Sequence, residues 1–242
     1  MSDALERYKY EAALAAVEEV VSGMVVGLGH GTTAIHALRE IARRLKHAEL
    51  HSILGLPCSD QVAWQAHALG ISLTTFERVG AVDLTIDGAD ELTEECDAVK
   101  GGGGALLSEK IVHQNSRRVI LIADHTKLSP RLGENHLLPV EVSVFGWQAQ
   151  QRFMESLGAK ASLRTDDSDG SGESEVPFVT EHGHYILDCR FRALDNPAEL
   201  SRKLDARAGV MEHGLFLGLA HEARIAGPDG VRALRRGSCR VP

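Results

Sequence analysis

The sequence predicts an α/β protein, a mostly parallel sheet covered by helices and followed by a smaller α+β unit. Three observations carry this. Strand-like and helix-like segments alternate over the first half, the signature of βαβ crossovers. Glycine-rich or acidic loops fall just past several of these strands, where parallel sheets bind ligands. After Gly133 the order changes to β-α-β-β-α-β, a ferredoxin-like pattern.

The elements follow in order. Leu5, Ala12, Ala16 and Val20 make one broad stripe, predicting a helix over 4–21. Residues 24–28 read as a buried strand ending in glycines. Ile35, Leu38, Ile41, Ala42 and Leu45 mark an amphipathic helix over 32–47. A strand over 52–56 leads to Ser59, which suits an N-cap, and Gly70 ends the helix that follows. Strands are expected at 71–76, 82–86 and 117–123, with a helix starting near Ala105. In the second unit, strands are expected at 137–145, 160–164, 185–191 and 210–217, and helices at 147–157 and 197–207. The expected domains are therefore residues 1–132 with 219–242, Rossmann-like, and residues 133–218, ferredoxin-like α+β.

Residues 165–175 hold five acids with Ser and Gly and nothing apolar, so a solvated hairpin extension is expected there. Arg232, Arg235, Arg236 and Arg240 read as a solvated terminus rather than a binding arm. A formal net charge of -8 argues against nucleic acid as a partner, because a phosphate backbone calls for a basic face. A small phosphorylated ligand needs only one or two local cations. The cysteines Cys58, Cys96, Cys189 and Cys239 are scattered, which suits neither a zinc knuckle nor a disulfide framework. No signal-like segment opens the chain, and no apolar run reaches membrane-spanning length. The expectation is a reduced, cytoplasmic protein with no membrane partner.

Four segments can carry chemistry. Gly27-Leu28-Gly29-His30-Gly31-Thr32-Thr33 joins a strand to a helix, so its N–H groups and the helix dipole could cradle a phosphate. Alone it reads equally as a tight turn. It is neither a P-loop nor a dinucleotide fingerprint, since Thr32 stands where the third glycine belongs. Asp87-Gly88-Ala89-Asp90-Glu91 puts two carboxylates past a strand, either as turn formers or as groups that bind sugar hydroxyls. Lys100-Gly101-Gly102-Gly103-Gly104 opens an apolar helix carrying Glu109. Four consecutive glycines cost backbone entropy, and an oxyanion cradle accounts for them better than a linker does. Ala123-Asp124-His125-Thr126-Lys127 alone reads as a polar loop. The histidines show no metal-binding spacing, so no metal is expected.

Together these segments resemble the type A ribose-5-phosphate isomerase family in order and spacing. The family pattern G-x-G-[ST]-G-[ST]-T-A appears as G-L-G-H-G-T-T-A, with His30 where Ser or Thr is usual. D-G-A-D-E is intact, K-G-G-G-x-A-L-x-x-E-K reads K-G-G-G-G-A-L-L-S-E-K, and A-D-x-[ST]-K reads A-D-H-T-K. The resemblance extends along the chain, including L-P-V-E-V from Leu138 and G-P-D-G-V from Gly227.

The resemblance implies a cofactor-free aldose–ketose isomerase acting through an enediolate, with Glu109 as the proton shuttle. Lys100 and the N–H groups of Gly101, Gly102 and Gly103 would meet the enediolate charge. Asp87 and Asp90, with Gly88 and Ala89, would hold sugar hydroxyls, and Asp87 is expected to assist ring opening. The phosphate would sit on His30, Gly31, Thr32 and Thr33, reached by Lys9, with Lys127 close to the carboxylates. The partner is a sugar phosphate, and a homodimer or homotetramer is implied. An amino-sugar-phosphate deaminase is the main alternative enzyme. A sugar-phosphate sensor would be expected to add a helix-turn-helix, for which the single helix before the first strand leaves no room.

Overall fold

The computed structural model describes residues 2–166 and 174–237, in the order α1 (Ser2–Val17), β1 (Val25–Leu28), α2 (Ala34–Lys46), β2 (Leu54–Pro57), α3 (Asp60–Ala68), β3 (Leu84–Gly88), β4 (Glu91–Leu92), β5 (Ala98–Val99), α4 (Leu106–Gln114) and β6 (Val119–Asp124). There follow β7 (Leu138–Val142), α5 (Trp147–Ser156), β8 (Lys160–Leu163), β9 (Tyr185–Arg190), α6 (Pro197–Asp205), β10 (Val210–His213), β11 (Leu215–Phe216), β12 (Glu222–Gly227) and β13 (Gly230–Arg235).

The main sheet has the order β13-β12-β6-β3-β1-β2 and is parallel except for β13. β6 explains its layering. All six of its residues are buried, and the five apolar ones alternate between two cores, as strand periodicity requires. Ile120 and Ile122 pack with α1, α2 and α3, whereas Val119, Leu121 and Ala123 pack with Leu106 of α4 and Phe216. The chain runs from β1 outward to β2 and returns to β3 on the other side of β1. The loops after β1 and β3 therefore diverge and open a crevice at the strands' carboxyl ends.

The second sheet has the order β10-β7-β9-β8, antiparallel throughout, with α5 and α6 on one face. This is the expected α/β protein with a separate small antiparallel sheet. Ser59 caps α3 as predicted, accepting from the Val62 N–H. Among the described residues no helix is long and apolar enough to cross a membrane.

Three expectations are corrected. The strand at 71–76 reduces to one parallel bridge between Leu73 and Gly55, because the chain coils away after Thr74 through bonds from Arg78 and Val79 to the Thr75 carbonyl. The first helix stops at Val17. The strand at 210–217 is two strands, broken at Gly214, where a Cβ would lie 2.3 Å from the Lys100 carbonyl oxygen. Its second half leaves the small sheet and pairs with β5 in a three-stranded sheet, β11-β5-β4. The arginine-rich end is solvated as expected and is ordered as well, since the exposed Arg232 and Arg235 lie on β13 and Arg236 reaches Asp97 at 2.6 Å.

Arg240, Cys239 and residues 167–173 of the acidic stretch lie outside the described residues. The flanks of that stretch pair through a Thr165–Pro177 bridge, the base of a hairpin.

Candidate active site

The crevice holds a cleft of about 230 Å³. Its lining contains Lys9, His30, Gly31, Thr32, Thr33, Gly88, Ala89, Asp90, Lys100, Gly101, Gly102, Gly103, Glu109 and Lys127, so residues from five separate stretches of chain converge there. Leu5, Asp124 and Thr126 complete the lining. Asp124 and Thr126 belong to the Ala123–Lys127 segment singled out in the sequence, whereas Leu5, one apolar position in the first helix, gave no signal of this.

The loop after β1 is shaped by Asp87. A Cβ on Gly29 would lie 2.2 Å from Asp87 Oδ1, so only glycine passes there. The next residue, His30, turns its N–H onto the same oxygen at 3.1 Å. The N–H groups of Gly31, Thr32 and Thr33 have no acceptor among the described residues, and Thr33 makes no side-chain cap. The N-terminus of α2 is thus a set of free donors, an anion site. Lys9 Nζ lies 3.2 Å from Thr32 Oγ1. The His30 ring bonds Ser59 Oγ through Nδ1 at 2.9 Å and lies over Gly103. Burial lowers its pKa, which favours the neutral imidazole.

Beneath the cleft sits a cluster of buried charges. Lys100 Nζ lies 3.0 Å from Asp87 Oδ2 and 3.2 Å from Glu109 Oε1, and it donates to the Gly88 carbonyl at 2.8 Å. Burial opposes the lysine charge, but Asp87, Glu109 and Asp90 outweigh it and raise its pKa, so Lys100 stays protonated. Asp87 is fully buried and lies under the floor of the cleft rather than in its lining. Oδ1 accepts from His30 N and Gly88 N; Oδ2 takes Lys100 and His113 Nε2, the latter at 2.9 Å. Burial pushes its pKa up, yet Lys100 and His113 hold it at about 2. His113, which carried no motif, is therefore part of the site's foundation.

Glu109 has the opposite balance. Burial is the largest influence, the charges of Asp87 and Asp90 add to it, and Lys100 compensates only in part. Its pKa is pushed up to about 8, and Oε2 has no hydrogen-bond partner. Asp90 is half-buried, lines the cleft, and accepts from Gly102 N at 2.8 Å. Lys127 Nζ lies 3.3 Å from His136 Nε2.

One group with metal-ligand composition occurs among the described residues: Asp205, Glu212 and His213. It fits a cation poorly. Lys110 Nζ already sits 2.5 Å from Glu212 Oε1. His213 Nδ1 accepts the Leu215 N–H, so Nε2 carries the proton toward Asp205 and offers no lone pair.

The comparisons with known proteins agree with this geometry. Residues 54–230 match the family described as Ribose 5-phosphate isomerase A (phosphoriboisomerase A). Ribose-5-phosphate isomerase A of Chloroflexus aurantiacus is 50% identical over 234 residues, covering 97% of this chain and 95% of that protein. A structure of D-ribose-5-phosphate isomerase in complex with phospho-erythronic acid superposes with a TM-score of 0.91 at 31% identity, over 96% of this chain and 99% of that one. Ribose 5-phosphate isomerase from Plasmodium falciparum gives a TM-score of 0.90 at 32% identity, over 96% and 100% of the two chains. With a cradle, a buried lysine and an elevated glutamate in one crevice, and relatives along nearly its full length, the chain belongs to the ribose 5-phosphate isomerase A family.

Proposed function

We propose that this protein interconverts D-ribose 5-phosphate and D-ribulose 5-phosphate through an enediolate, with Glu109 as the general acid and base. One observation carries the reading. Glu109 lines the cleft with one oxygen unpartnered and a pKa near 8, so at neutral pH it exchanges a proton readily in either direction.

The substrate phosphate sits on the free N–H groups of Gly31, Thr32 and Thr33, with Lys9 beside Thr32. We assign the ring-opening proton transfer to Asp90 in place of Asp87. Asp87 already receives four donors and lies outside the lining, whereas Asp90 faces the cleft. Glu109 then removes the C2 proton of the open aldose, and electrons move onto the C1 oxygen to give the enediolate. The hydroxyl proton passes from the C2 oxygen to the C1 oxygen as the protonated Glu109 returns its proton to C1, leaving a ketone at C2 and a hydroxyl at C1. Lys100 and the Gly103 N–H carry the negative charge of the intermediate. Asp87 acts through Lys100, holding it charged under the cleft. Lys127 adds positive charge at the mouth. The route moves hydrogen within one substrate with no net oxidation or reduction, so no cofactor is invoked.

The test is ketose formation from ribose 5-phosphate in excess EDTA, comparing the native chain with Glu109→Gln. Activity in the native chain that collapses in the folded variant is the expected result. Full activity in Glu109→Gln removes Glu109 as the base. Inactivity of the native chain despite ribose 5-phosphate binding removes the enzyme reading.

A further inference from the structure

Arg164 stands just after β8, at the edge of the small sheet, and reaches the glycine loop of the cleft. Its Nη1 donates to the carbonyl oxygens of Gly101 at 2.9 Å and Gly102 at 3.1 Å. The other edge of the guanidinium is gripped by Asp188 on β9, at 2.9 Å from Nε and 2.6 Å from Nη2. The Phe178 ring lies 5.8 Å from the guanidinium carbon, and it fills the space where a Cβ on Gly104 would come within 2.5 Å of it.

A trans peptide is planar, with C=O and N–H pointing in opposite directions. Drawing the Gly101 and Gly102 carbonyls toward Arg164 therefore turns the N–H groups of Gly102 and Gly103 the other way. The Gly102 N–H meets Asp90, while that of Gly103, a cleft-lining residue, has no acceptor among the described residues.

We propose that Arg164 is a positioning residue for the isomerisation. Held by Asp188, it locks the glycine loop so that its peptide N–H groups face the enediolate charge and Asp90. This inference rests on the isomerase reading above. A run of four glycines has little conformational preference of its own, so donors on it are useful only if something outside fixes them. The planar fork of arginine can take a carboxylate on one edge and two carbonyls on the other, which a lysine ammonium cannot.

The experiment compares the native chain with Arg164→Gln, Arg164→Lys and Asp188→Asn. It measures kcat and KM, inhibition by phospho-erythronic acid and by inorganic phosphate, melting temperature, and amide hydrogen exchange over residues 98–106. Phospho-erythronic acid carries a carboxylate where the enediolate charge develops, so it reports on the loop donors. Inorganic phosphate reports on the cradle after β1, which Arg164 does not touch. In Arg164→Gln the expected result is a kcat lower by on the order of 100-fold, with phospho-erythronic acid binding weakened and phosphate inhibition unchanged. Exchange over 98–106 should rise while the melting temperature stays near the native value. Arg164→Lys and Asp188→Asn should fall between. An unchanged kcat in folded Arg164→Gln overturns the inference. So does a loss in which phosphate inhibition and melting temperature fall together, since that is general loosening. A native chain without isomerase activity would sink the isomerase reading instead, and the exchange rates alone would then decide whether Arg164 orders the loop.

Discussion

The crevice of the six-stranded sheet and the four-stranded sheet beside it bury side chains for opposite ends. Under the crevice, Asp87, Lys100, Glu109 and His113 are all buried, and polar atoms of Glu109 and His113 have no partner. The four-stranded sheet packs Val140, Val142, Leu187, Met154 and Leu204 into an apolar interior, and its one fully buried β7 acid, Glu141, accepts from Thr180 and bonds His184 through Oε1 while Oε2 has no partner. Buried charge is costly unless fully paired, whereas buried apolar surface stabilises at roughly 25 cal/mol per Å². One region gives up stability for reactivity, and the other holds the scaffold and lends Arg164 to the cleft. Substitutions in the two regions should therefore separate activity from stability.

Glu109→Gln should give the largest effect. Loss of the proton shuttle lowers kcat by about 10²–10⁴-fold or more, read as ketose formation, with no drop in melting temperature because the variant buries no ionisable group there. The pH dependence sharpens this. The ionised base is needed, so native kcat/KM should climb with pH and level off above about 8. Stability runs the other way. The folded state holds the Glu109 proton up to about 8 while the unfolded chain releases it near 4.5, so stability falls as pH rises between those values. Asp87 is held low at about 2, so its contribution is present above 3.8 and lost as pH falls toward 2. Denaturant titrations at pH 5 and pH 8.5 should show the first slope, flattened in Glu109→Gln. An equal slope in both proteins would mean that Glu109 is not the group that titrates.

Lys100→Met should damage both properties. It leaves Asp87 and Glu109 buried without their shared cation, a loss of about 3–5 kcal/mol by denaturant unfolding, together with most activity. Met154→Ala in the four-stranded region should cost about 2–5 kcal/mol in the same assay, because it hollows a fully buried position. Its kcat should match the native value at temperatures where it remains folded. A large fall in kcat for folded Met154→Ala would erase the division between the regions.

The same division decides what could be read in the sequence. Elements built on a strong pattern were legible: the continuous apolar run of β6, the stripe of α2, and the β-α-β-β-α-β order of the second unit. Site residues were legible where their type is unusual for their place, such as four glycines opening a helix or two aspartates closing a strand. Arg164 and His113 were not, because an arginine after a strand and a histidine in a helix are commonplace. Only the register of β8 against β9 brings Arg164 beside Asp188, and only the pitch of α4 drops His113 onto Asp87. The division of labour between the two aspartates was also hidden. Both stand in one five-residue motif, and only their burial separates them.

The smallest effect is expected at the far edge of the main sheet, on a residue that sequence reasoning placed in a solvated terminus. Arg232 lies on β13 and pairs with Glu94 at 2.9 Å, both side chains being more than half exposed. Exposed pairs of this kind contribute about 0–1 kcal/mol, since water screens them and ordering two long side chains costs entropy. Arg232→Ala should thus leave stability within about 0.5 kcal/mol of native and kcat and KM unchanged. Charge on an unpaired edge strand also discourages edge-to-edge pairing between molecules, so any visible consequence should be weak self-association at high concentration, measurable by light scattering. A raised KM for ribose 5-phosphate would instead make this edge part of the substrate's approach. The cleft would then extend beyond the loops at the carboxyl ends of the strands, and the sharp contrast between a reactive crevice and an inert scaffold would have to be redrawn.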